Sequence, residues 1–466
     1  MTEPVTIAVA ARQIRDGRLT PLDLVEQRLA RIRRHDGRLR AWVVVDDEGA
    51  RRAARQAADD LAAGRDLGPL HGIPLGIKDI IDVEGFATEA GSPLRRGHMA
   101  AGDAPVVAAL RRAGAIILGK TVTVEFACFD PSPSRNPWSP DLRHTPGGSS
   151  SGSAVAVAAG MCLAALGTQT GGSLVRPASY CGIATCKPTF GRVSAEGIVP
   201  VSCHLDHPGP MARSVADLEI LLQYLLADRG LSRFSGRRRA AMVGENGAVP
   251  FPNPEPEPTA TPPSARPPRL GLVEQFFMER ADPVMRQAVD TALAKLRRAG
   301  ASIGPVPLNE DFDEVLAMHG VIMAAEATAY HRRDFAAHRE SYGPMIRGLL
   351  EEGLRTSAVD YAAALAHQRE FRRRIGNLFS GFDALVMPAT DTTAPPTLET
   401  TGPKTFQAPW SYAGVPVVSI PCGLAGDGLP AAIQLVAPHH EDFALLAIAG
   451  WCEKTLDFRT QPPLSG

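Results

Sequence analysis

The sequence predicts one α/β fold in which helices cover both faces of a mixed β-sheet. Helical and strand-like segments alternate from about residue 68 to residue 225, as is typical of such sheets. A mainly helical stretch follows at 270–380, and strand-like segments return at 381–440. Because the strands return and no internal repeat divides the chain, we expect residues 1–466 to form one domain with a helical excursion.

The composition favours a small-molecule partner. Of the 466 residues 44% are hydrophobic but only 6% are aromatic, which predicts a core of small side chains. The 49 basic residues nearly balance the 50 acidic ones, so no overall field attracts nucleic acid or an anionic membrane. Early charged residues and the lack of a long apolar run predict a cytoplasmic protein without a signal peptide or membrane span.

The cysteines predict neither disulfides nor a metal site. Their number is odd, seven, and they are scattered along the chain. Cys181 and Cys186 have no second pair nearby, which disfavours zinc. We therefore expect Cys181 and Cys186 to be small buried side chains.

The first predicted elements have recognisable ends. Thr20 is a suitable N-cap, and Pro21 suits the first turn of a helix that continues through LDLVEQRLARI. A second helix, rich in Ala and Arg, is predicted from Glu48 to Ala63. A helix from Pro105 to Ala113 and a short buried strand from Ala115 to Leu118 begin the alternating region.

Later elements are marked by caps and by changes of composition. Ser214 and Asp217 form the start signal of the helix SVADLEILLQYLLA. Residues 244–268 are polar and dense in proline, which predicts an exposed or disordered loop. Helices are expected from Pro283 to about Ser380, followed by strands in DALVMPA, VPVVSIPCG and AAIQLVA.

The serine-rich stretch GGSSSGS, residues 147–153, does not have the context of a linker. The apolar segment AVAVAAGMCLAAL follows it and indicates a helix packed into the core. Its GSSSG also matches the nucleophile turn of α/β-hydrolases, which would make Ser150 a nucleophile, but the preceding segment SRNPWSPDLRHTP lacks the required strand. A Ser-His-Asp hydrolase using Ser150, with Asp206 and His204 or His207, is the alternative mechanism.

The segment GAIILGKT, residues 114–121, matches the phosphate-binding pattern G-x-x-x-x-G-K-[ST]. A phosphate site needs a curled loop of backbone N–H groups, whereas AIIL favours a buried strand. We therefore do not expect nucleotide binding.

Two further segments contain residue types suited to acyl transfer. Gly171 and Gly172 precede Ser173, and consecutive N–H groups in such a turn can converge on one oxygen. Lys78 follows the apolar run GIPLGI, and burial would lower its pKa toward that of a useful base. A serine and a neutral lysine could together perform acyl transfer without histidine.

These residues lie in a longer set of segments that resembles the amidase signature family. The strongest segments are GPLHGIPLGIKDIIDVEGFATEAGS, DAPVVAALRRAGAIILGKTVTVEFA, RNPWSPDLRHTPGGSSSGSAVAVAAG and GTQTGGSLVRPASYCGIATCKPTFGRVSAEGIVP, followed by LDHPGPMARSVADLEILL. Weaker matches occur at FDALVMPA, APWSYAGVPVVSIPCG and GLPAAIQLVAP. The resemblance implies the family's single large fold and a Ser-cis-Ser-Lys triad: Ser173 as nucleophile, Ser149 after a cis peptide bond as bridging serine, and Lys78 as base.

The resemblance also implies a mechanism. Neutral Lys78 accepts a proton from Ser149, which takes the proton of Ser173 as its hydroxyl attacks the amide carbonyl. The relay then protonates the departing amine, and water hydrolyses the acyl-Ser173 ester. Oxyanion stabilisation would come from the backbone N–H groups of Thr170, Gly171, Gly172 and Ser173. Neither a metal nor an organic cofactor is implied.

The sequence departs from the commoner family pattern at two positions. Gln169 stands where Asp is usual, and Arg176 lies three residues after the nucleophile rather than two. This arrangement is similar to a subgroup of malonamidase-like and carboxybiuret hydrolase-like amidases, in which such an arginine binds the carboxylate of a small amide. A structural arginine paired with Asp or Glu is the other interpretation of Arg176.

The predicted function is hydrolysis of a small-molecule C–N amide bond, in a substrate that carries a carboxylate or is of carbamate or urea type. The alternative is the A subunit of a glutamine-dependent amidotransferase, in which ammonia passes to another chain. An inactive scaffold is disfavoured, because Lys78, Ser149 and Ser173 are all present. We expect no nucleic-acid or membrane partner, and a homodimer as the assembly.

Overall fold

A computed structural model describes residues 5–227 and 266–464 of the chain. Its strands are β1 (Trp42–Val45), β2 (Pro74–Lys78), β3 (Ile116–Thr121), β4 (Ala164–Gln169), β5 (Ala184–Lys187), β6 (His207–Ala212), β7 (Arg269–Leu272), β8 (Ser302–Pro305), β9 (Ala384–Pro388), β10 (Val417–Leu424) and β11 (Pro430–Val436). Its helices are α1 (Ile7–Arg15), α2 (Pro21–Leu39), α3 (Asp47–Ala62), α4 (Pro105–Arg112), α5 (Ser151–Ala158), α6 (Val175–Cys181), α7 (Val215–Ala227), α8 (Pro283–Arg298), α9 (Phe312–His338), α10 (Pro344–Arg355), α11 (Ala358–Arg374), α12 (Ala408–Ala413) and α13 (Asp442–Leu456).

The described strands form one sheet in the order β1-β3-β2-β4-β6-β5-β10-β11-β9-β7-β8. Strand β2 is parallel to both β3 and β4, whereas β6 is antiparallel to β4 and β5. The antiparallel pairing of β5 with β10 joins the first half of the chain to the last strands. The predicted mixed sheet is therefore confirmed, and the strands after the helical stretch return to the same sheet.

Alternate residues of the central strands pack into two separate hydrophobic cores. Ile116 and Leu118 of β3 belong to a core that includes residues of α2, α3, α5 and α6, while Ile117 between them belongs to the core that includes residues of α7, α8 and α13. Side chains alternate across a strand, so the two cores lie on opposite faces of the sheet. This arrangement confirms that helices cover both faces.

Most element ends follow the sequence signals. Thr20 caps α2 and forms a capping box with Asp23. The Ser214 hydroxyl accepts a hydrogen bond of 3.2 Å from the Asp217 N–H at the start of α7. Strand β3 runs to Thr121, further than predicted, so the phosphate-loop pattern lies mostly within a buried strand.

The helical excursion is present as α8 to α11, but two strands also lie in or beside its range. Strand β8 was not predicted, because its residues SIGP are partly exposed and carry little apolar signal. Residues 244–265 of the predicted proline-rich loop lie outside the described residues. In the parts of the chain that the structure describes, no helix combines the length and the apolar character needed to cross a membrane.

Candidate active site

Lys78 is the last residue of β2, a strand with every residue buried between β3 and β4. Its side chain is 0% exposed, and Nζ lies 2.7 Å from Ser149 Oγ and 2.8 Å from Thr168 Oγ1. Burial lowers the pKa of Lys78 to about 7, although the charge of Asp206 acts in the opposite direction. The ammonium therefore loses its proton near neutral pH, as expected from the sequence.

Ser149 lies just before α5, in the serine-rich turn. The peptide bond between Gly148 and Ser149 is cis, which confirms the expectation for this bond. Gly147 has a φ of 76°, and a Cβ atom there would lie 2.9 Å from the Cα atom of Pro177. The turn thus requires glycine both for its backbone conformation and for its close approach to α6.

Ser173 lies between β4 and α6, and its side chain is nearly buried. Its carbonyl oxygen accepts a hydrogen bond of 3.4 Å from the N–H of Ser150, which brings the two serine turns together. The N–H groups of Gly171, Gly172 and Ser173 donate to no acceptor within residues 5–227 and 266–464. Such free donors beside a serine can bind the oxygen of a tetrahedral intermediate.

Gln169 holds the turn that carries these N–H groups. Its Oε1 atom accepts hydrogen bonds from the N–H groups of Leu174 at 2.9 Å and Val175 at 3.0 Å. Its Nε2 atom donates to Ser411 Oγ at 3.0 Å, and that hydroxyl donates to the Gly171 carbonyl oxygen at 3.0 Å. The sequence marked Gln169 only as a departure from a family pattern, and its structural role was missed.

Thr168 was missed as a functional residue, and Thr170, expected to contribute only its N–H group, also forms a side-chain hydrogen bond. Thr168 receives the second hydrogen bond of Lys78, because β4 runs beside β2. Thr170 Oγ1 donates to Asp206 Oδ1 at 2.5 Å. Burial raises the pKa of Asp206 to about 6, while hydrogen bonds from Thr170, Ser202 and Val201 oppose that shift. No sequence signal connects these positions, since strand pairing and a later loop bring them together.

Arg176 is buried in α6 and contacts oxygen atoms of the protein itself. Nη2 donates to the Gly148 carbonyl oxygen at 2.7 Å and to Thr401 Oγ1 at 3.0 Å, and Nη1 donates to the Gly402 carbonyl oxygen at 2.5 Å. Its Nε is buried without a partner among the described residues. Burial lowers the pKa of Arg176 to about 10. Arg176 forms no ion pair with a carboxylate within the described part of the chain. It is therefore not the structural arginine paired with Asp or Glu that was the other interpretation of the sequence.

The residues of the alternative mechanism do not meet in the described structure. Ser150 Oγ donates to the Thr168 carbonyl oxygen at 3.1 Å and accepts from the Thr168 N–H at 3.2 Å. His207 Nδ1 lies 2.6 Å from the Leu205 carbonyl oxygen. His204 Nδ1 contacts Glu326 rather than Asp206. The segment before Ser150 contains no strand, so the nucleophile turn of an α/β-hydrolase is not formed.

The lysine of the phosphate-loop pattern is also engaged elsewhere. Lys120 is fully buried, and its Nζ lies 3.0 Å from Asp79 Oδ1 in an ion pair and 2.9 Å from Thr88 Oγ1. Since Gly119, Lys120 and Thr121 belong to a buried strand, this segment offers no curled loop for a phosphate.

Known proteins share this architecture. The chain matches the family described as "Amidase" over residues 23–446. It is 34% identical to the A subunit of glutamyl-tRNA(Gln) amidotransferase from Roseiflexus castenholzii, with 98% of this chain and 97% of that protein covered. It is also similar to two solved structures. One is described as an amidase, with 32% identity, coverage of 97% and 99%, and a TM-score of 0.82. The other is native peptide amidase from Stenotrophomonas maltophilia, with 31% identity, 98% coverage of each chain and a TM-score of 0.80.

The family match spans most of the chain, and the similarity to these proteins extends over nearly its whole length. The matched range includes every described strand of the sheet and the positions Lys78, Ser149 and Ser173. The chain belongs to the amidase family.

Proposed function

We propose that the chain is an amidase that hydrolyses a small-molecule C–N amide bond through an acyl-Ser173 ester. The observation that carries this proposal is the 2.7 Å contact between Lys78 Nζ and Ser149 Oγ in a fully buried site. With a pKa of about 7, Lys78 is neutral in a large fraction of molecules at neutral pH. It can then act as a general base.

In the proposed reaction, neutral Lys78 Nζ donates to Thr168 Oγ1 and accepts the proton of Ser149. Ser149 takes the proton of Ser173 as the Ser173 oxygen bonds to the amide carbon. The N–H groups of Thr170, Gly171, Gly172 and Ser173 stabilise the oxyanion. The C–N bond then breaks, the relay returns the proton to the leaving nitrogen, and water cleaves the ester by the same proton path.

The substrate is the finer part of the proposal. We expect a small amide, either one with a carboxylate or a carbamate or urea-type compound. For a carboxylate at Arg176, as the sequence suggests, only Nε lacks a protein acceptor among the described residues. The three contacts use three of the five N–H groups, so a carboxylate would have to reach the buried Nε or the second proton of Nη1.

A second candidate function is favoured by one comparison. The relative with 34% identity is the A subunit of glutamyl-tRNA(Gln) amidotransferase. Under this alternative, glutamine would be the amide, and the ammonia would pass to another chain. The same Ser173 and Lys78 chemistry would serve both functions, so the substrate and the need for a partner distinguish them.

The experiment is ammonia or amine release by the purified chain from aliphatic amides, half-amides of dicarboxylic acids, carbamates and glutamine. We expect turnover without a partner and, with hydroxylamine present, formation of the hydroxamate that an acyl-enzyme yields. Ser173→Ala should abolish both, while Ser150→Ala serves as the matched serine control. Full activity of Ser173→Ala would overturn the proposal. Turnover of glutamine alone, and only with a partner protein, would favour the amidotransferase.

A further inference from the structure

One segment, residues 401–407, packs against the glycines of both serine turns. A Cβ atom on Gly148 would lie 2.7 Å from Thr401 Cγ2, and one on Gly171 would lie 3.0 Å from Lys404 Cδ. A Cβ atom on Gly172 would lie 2.5 Å from Gln407 Oε1. We call residues 401–407 the wall segment. Because its side chains lie so close to these glycines, the wall segment packs directly against both serine turns.

Lys404 brings a cation to this wall without a matching anion. Its half-buried side chain has Nζ 3.4 Å from His319 Nδ1, 3.8 Å from Met323 Sδ and 5.1 Å from the ring centre of Phe129. None of these partners carries a negative charge. The charge of Glu352 raises the pKa of Lys404, but Lys404 makes no ion pair with it or with any other described residue. A partly desolvated ammonium in such surroundings attracts an anion.

His319 does not supply that anion. Its hydrogen bonds determine which ring nitrogen accepts a proton from Lys404. Its Nε2 lies 3.1 Å from the Thr170 carbonyl oxygen, so Nε2 must carry the proton that is donated. Burial and the charge of Lys404 lower the pKa of His319 to about 3, so the ring is neutral. Its Nδ1 therefore accepts one proton of the ammonium and Met323 Sδ accepts a second, which leaves the third for a ligand.

Lys404 and the proposed base face common surroundings. The charge of Arg176 lowers the pKa of both Lys78 and Lys404, so both amines lie near the same guanidinium. The wall segment also brings Gln407 Oε1, a buried acceptor without a partner among the described residues, toward Gly172. The space beside the oxyanion turn thus has a cation on one side and an acceptor for an amide N–H on the other.

We propose that Lys404 binds the carboxylate of a small amide substrate. This inference rests on the proposed amidase function, and it assigns the anionic end of the substrate to Lys404 instead of Arg176. The hydrogen bonds of Arg176 to Gly148, Thr401 and Gly402 hold the wall segment to the serine turn, and Arg176 is only 3% exposed. The Lys404 side chain is half-buried, and its ammonium has one proton left for a ligand. The substrate class is an amide with a free carboxylate a short distance from the scissile bond, as in the half-amides of dicarboxylic acids.

The test compares succinamate with its neutral branched analogue 4-methylpentanamide in the full chain. Lys404→Met should lower kcat/KM for succinamate by about 30-fold, mainly through KM, because a charge-assisted pair is lost. The neutral amide should change by less than about threefold, since no charged pair is involved. Lys404→Arg should restore part of the preference for the acid, and Lys454→Met, at an exposed lysine, serves as the matched control.

Two results would overturn the assignment of Lys404. Equal losses on both amides would mean that Lys404 only supports the oxyanion turn through His319, and an unchanged preference would mean that it does not meet the carboxylate. Either result leaves the amidase function intact, because the neutral amide is still hydrolysed by the unaltered chain. Failure of that chain to hydrolyse either amide would instead contradict the proposed function. Calorimetry measures the dissociation constant of succinamate from Ser173→Ala and from the double variant Ser173→Ala, Lys404→Met. The comparison tests the contact between Lys404 and the carboxylate without turnover.

Discussion

Arg176 Nη2 donates a hydrogen bond of 2.7 Å to the carbonyl oxygen of Gly148, the residue that precedes the bridging serine. The same guanidinium donates to Thr401 and Gly402 of the wall segment. This arginine, for which the sequence left both a substrate-binding and a structural role open, thus connects two parts of the site. Its planar fork reaches three oxygens at once, which a lysine cannot do.

We therefore predict that Arg176→Lys lowers kcat/KM for succinamate and 4-methylpentanamide by the same factor, about tenfold or more. Displacement of the serine turn should affect every substrate, whatever its charge. Steady-state kinetics with both amides measures the factor, and Arg286→Lys on the surface of α8 is the control. A loss of kcat/KM for succinamate alone would instead show that Arg176 binds the carboxylate.

The pH dependence of the reaction should follow Lys78. Only the neutral amine can accept the proton of Ser149, and the protonated fraction falls as the pH rises through the pKa of about 7. We predict that kcat/KM increases with pH, with a midpoint near that pKa, and then levels off. Because the charge of Asp206 raises the pKa of Lys78, Asp206→Asn should move the midpoint to lower pH. A profile without this rise between pH values of about 6 and 8 would exclude Lys78 as the base.

Ser411 provides a test of the oxyanion turn. Ser411→Ala leaves Gln169 Nε2 and the Gly171 carbonyl oxygen without their partner. We predict a loss of about 1–3 kcal/mol in the free energy of unfolding and a lower kcat. Ser419→Ala is the matched control variant, since the buried Ser419 hydroxyl has no partner in the described structure. Denaturant unfolding of both variants measures the difference, and equal stability would mean that the Ser411 network contributes little.

Lys120 should be a structural residue. Both partners of its ion pair with Asp79 are buried, so Lys120→Met leaves the Asp79 carboxylate without its counter-charge. We predict a loss of about 3–5 kcal/mol in the free energy of unfolding. Exposed Lys454→Met should change it by less than about 0.5 kcal/mol. ATP should not raise the melting temperature of the unaltered chain, of Lys120→Met or of Lys454→Met. Stabilisation of the unaltered chain by ATP would contradict the structural assignment of the GKT segment.

The parts of the fold that were predicted depend on local patterns. Thr20 and Pro21 begin a helix because cap and first-turn residues act within a few positions. The apolar run before Lys78 forms a buried strand for a similar reason, and burial then lowers the pKa of the lysine. Strand β8 was missed because it is short, partly exposed and held by pairing with β7 rather than by its own sequence pattern.

By itself, the sequence determined the α/β class, the buried lysine and the two glycine-serine turns, because these follow from residue type and from spacing along the chain. Only the tertiary structure decided what surrounds them. Parallel pairing of β2 with β4 placed Thr168 against Lys78, and the wall segment, more than 220 residues after Ser173, placed Lys404 beside Gly171. Contacts between residues so distant in the chain depend on how the sheet and its helices pack, and a single sequence carries no local pattern that predicts them.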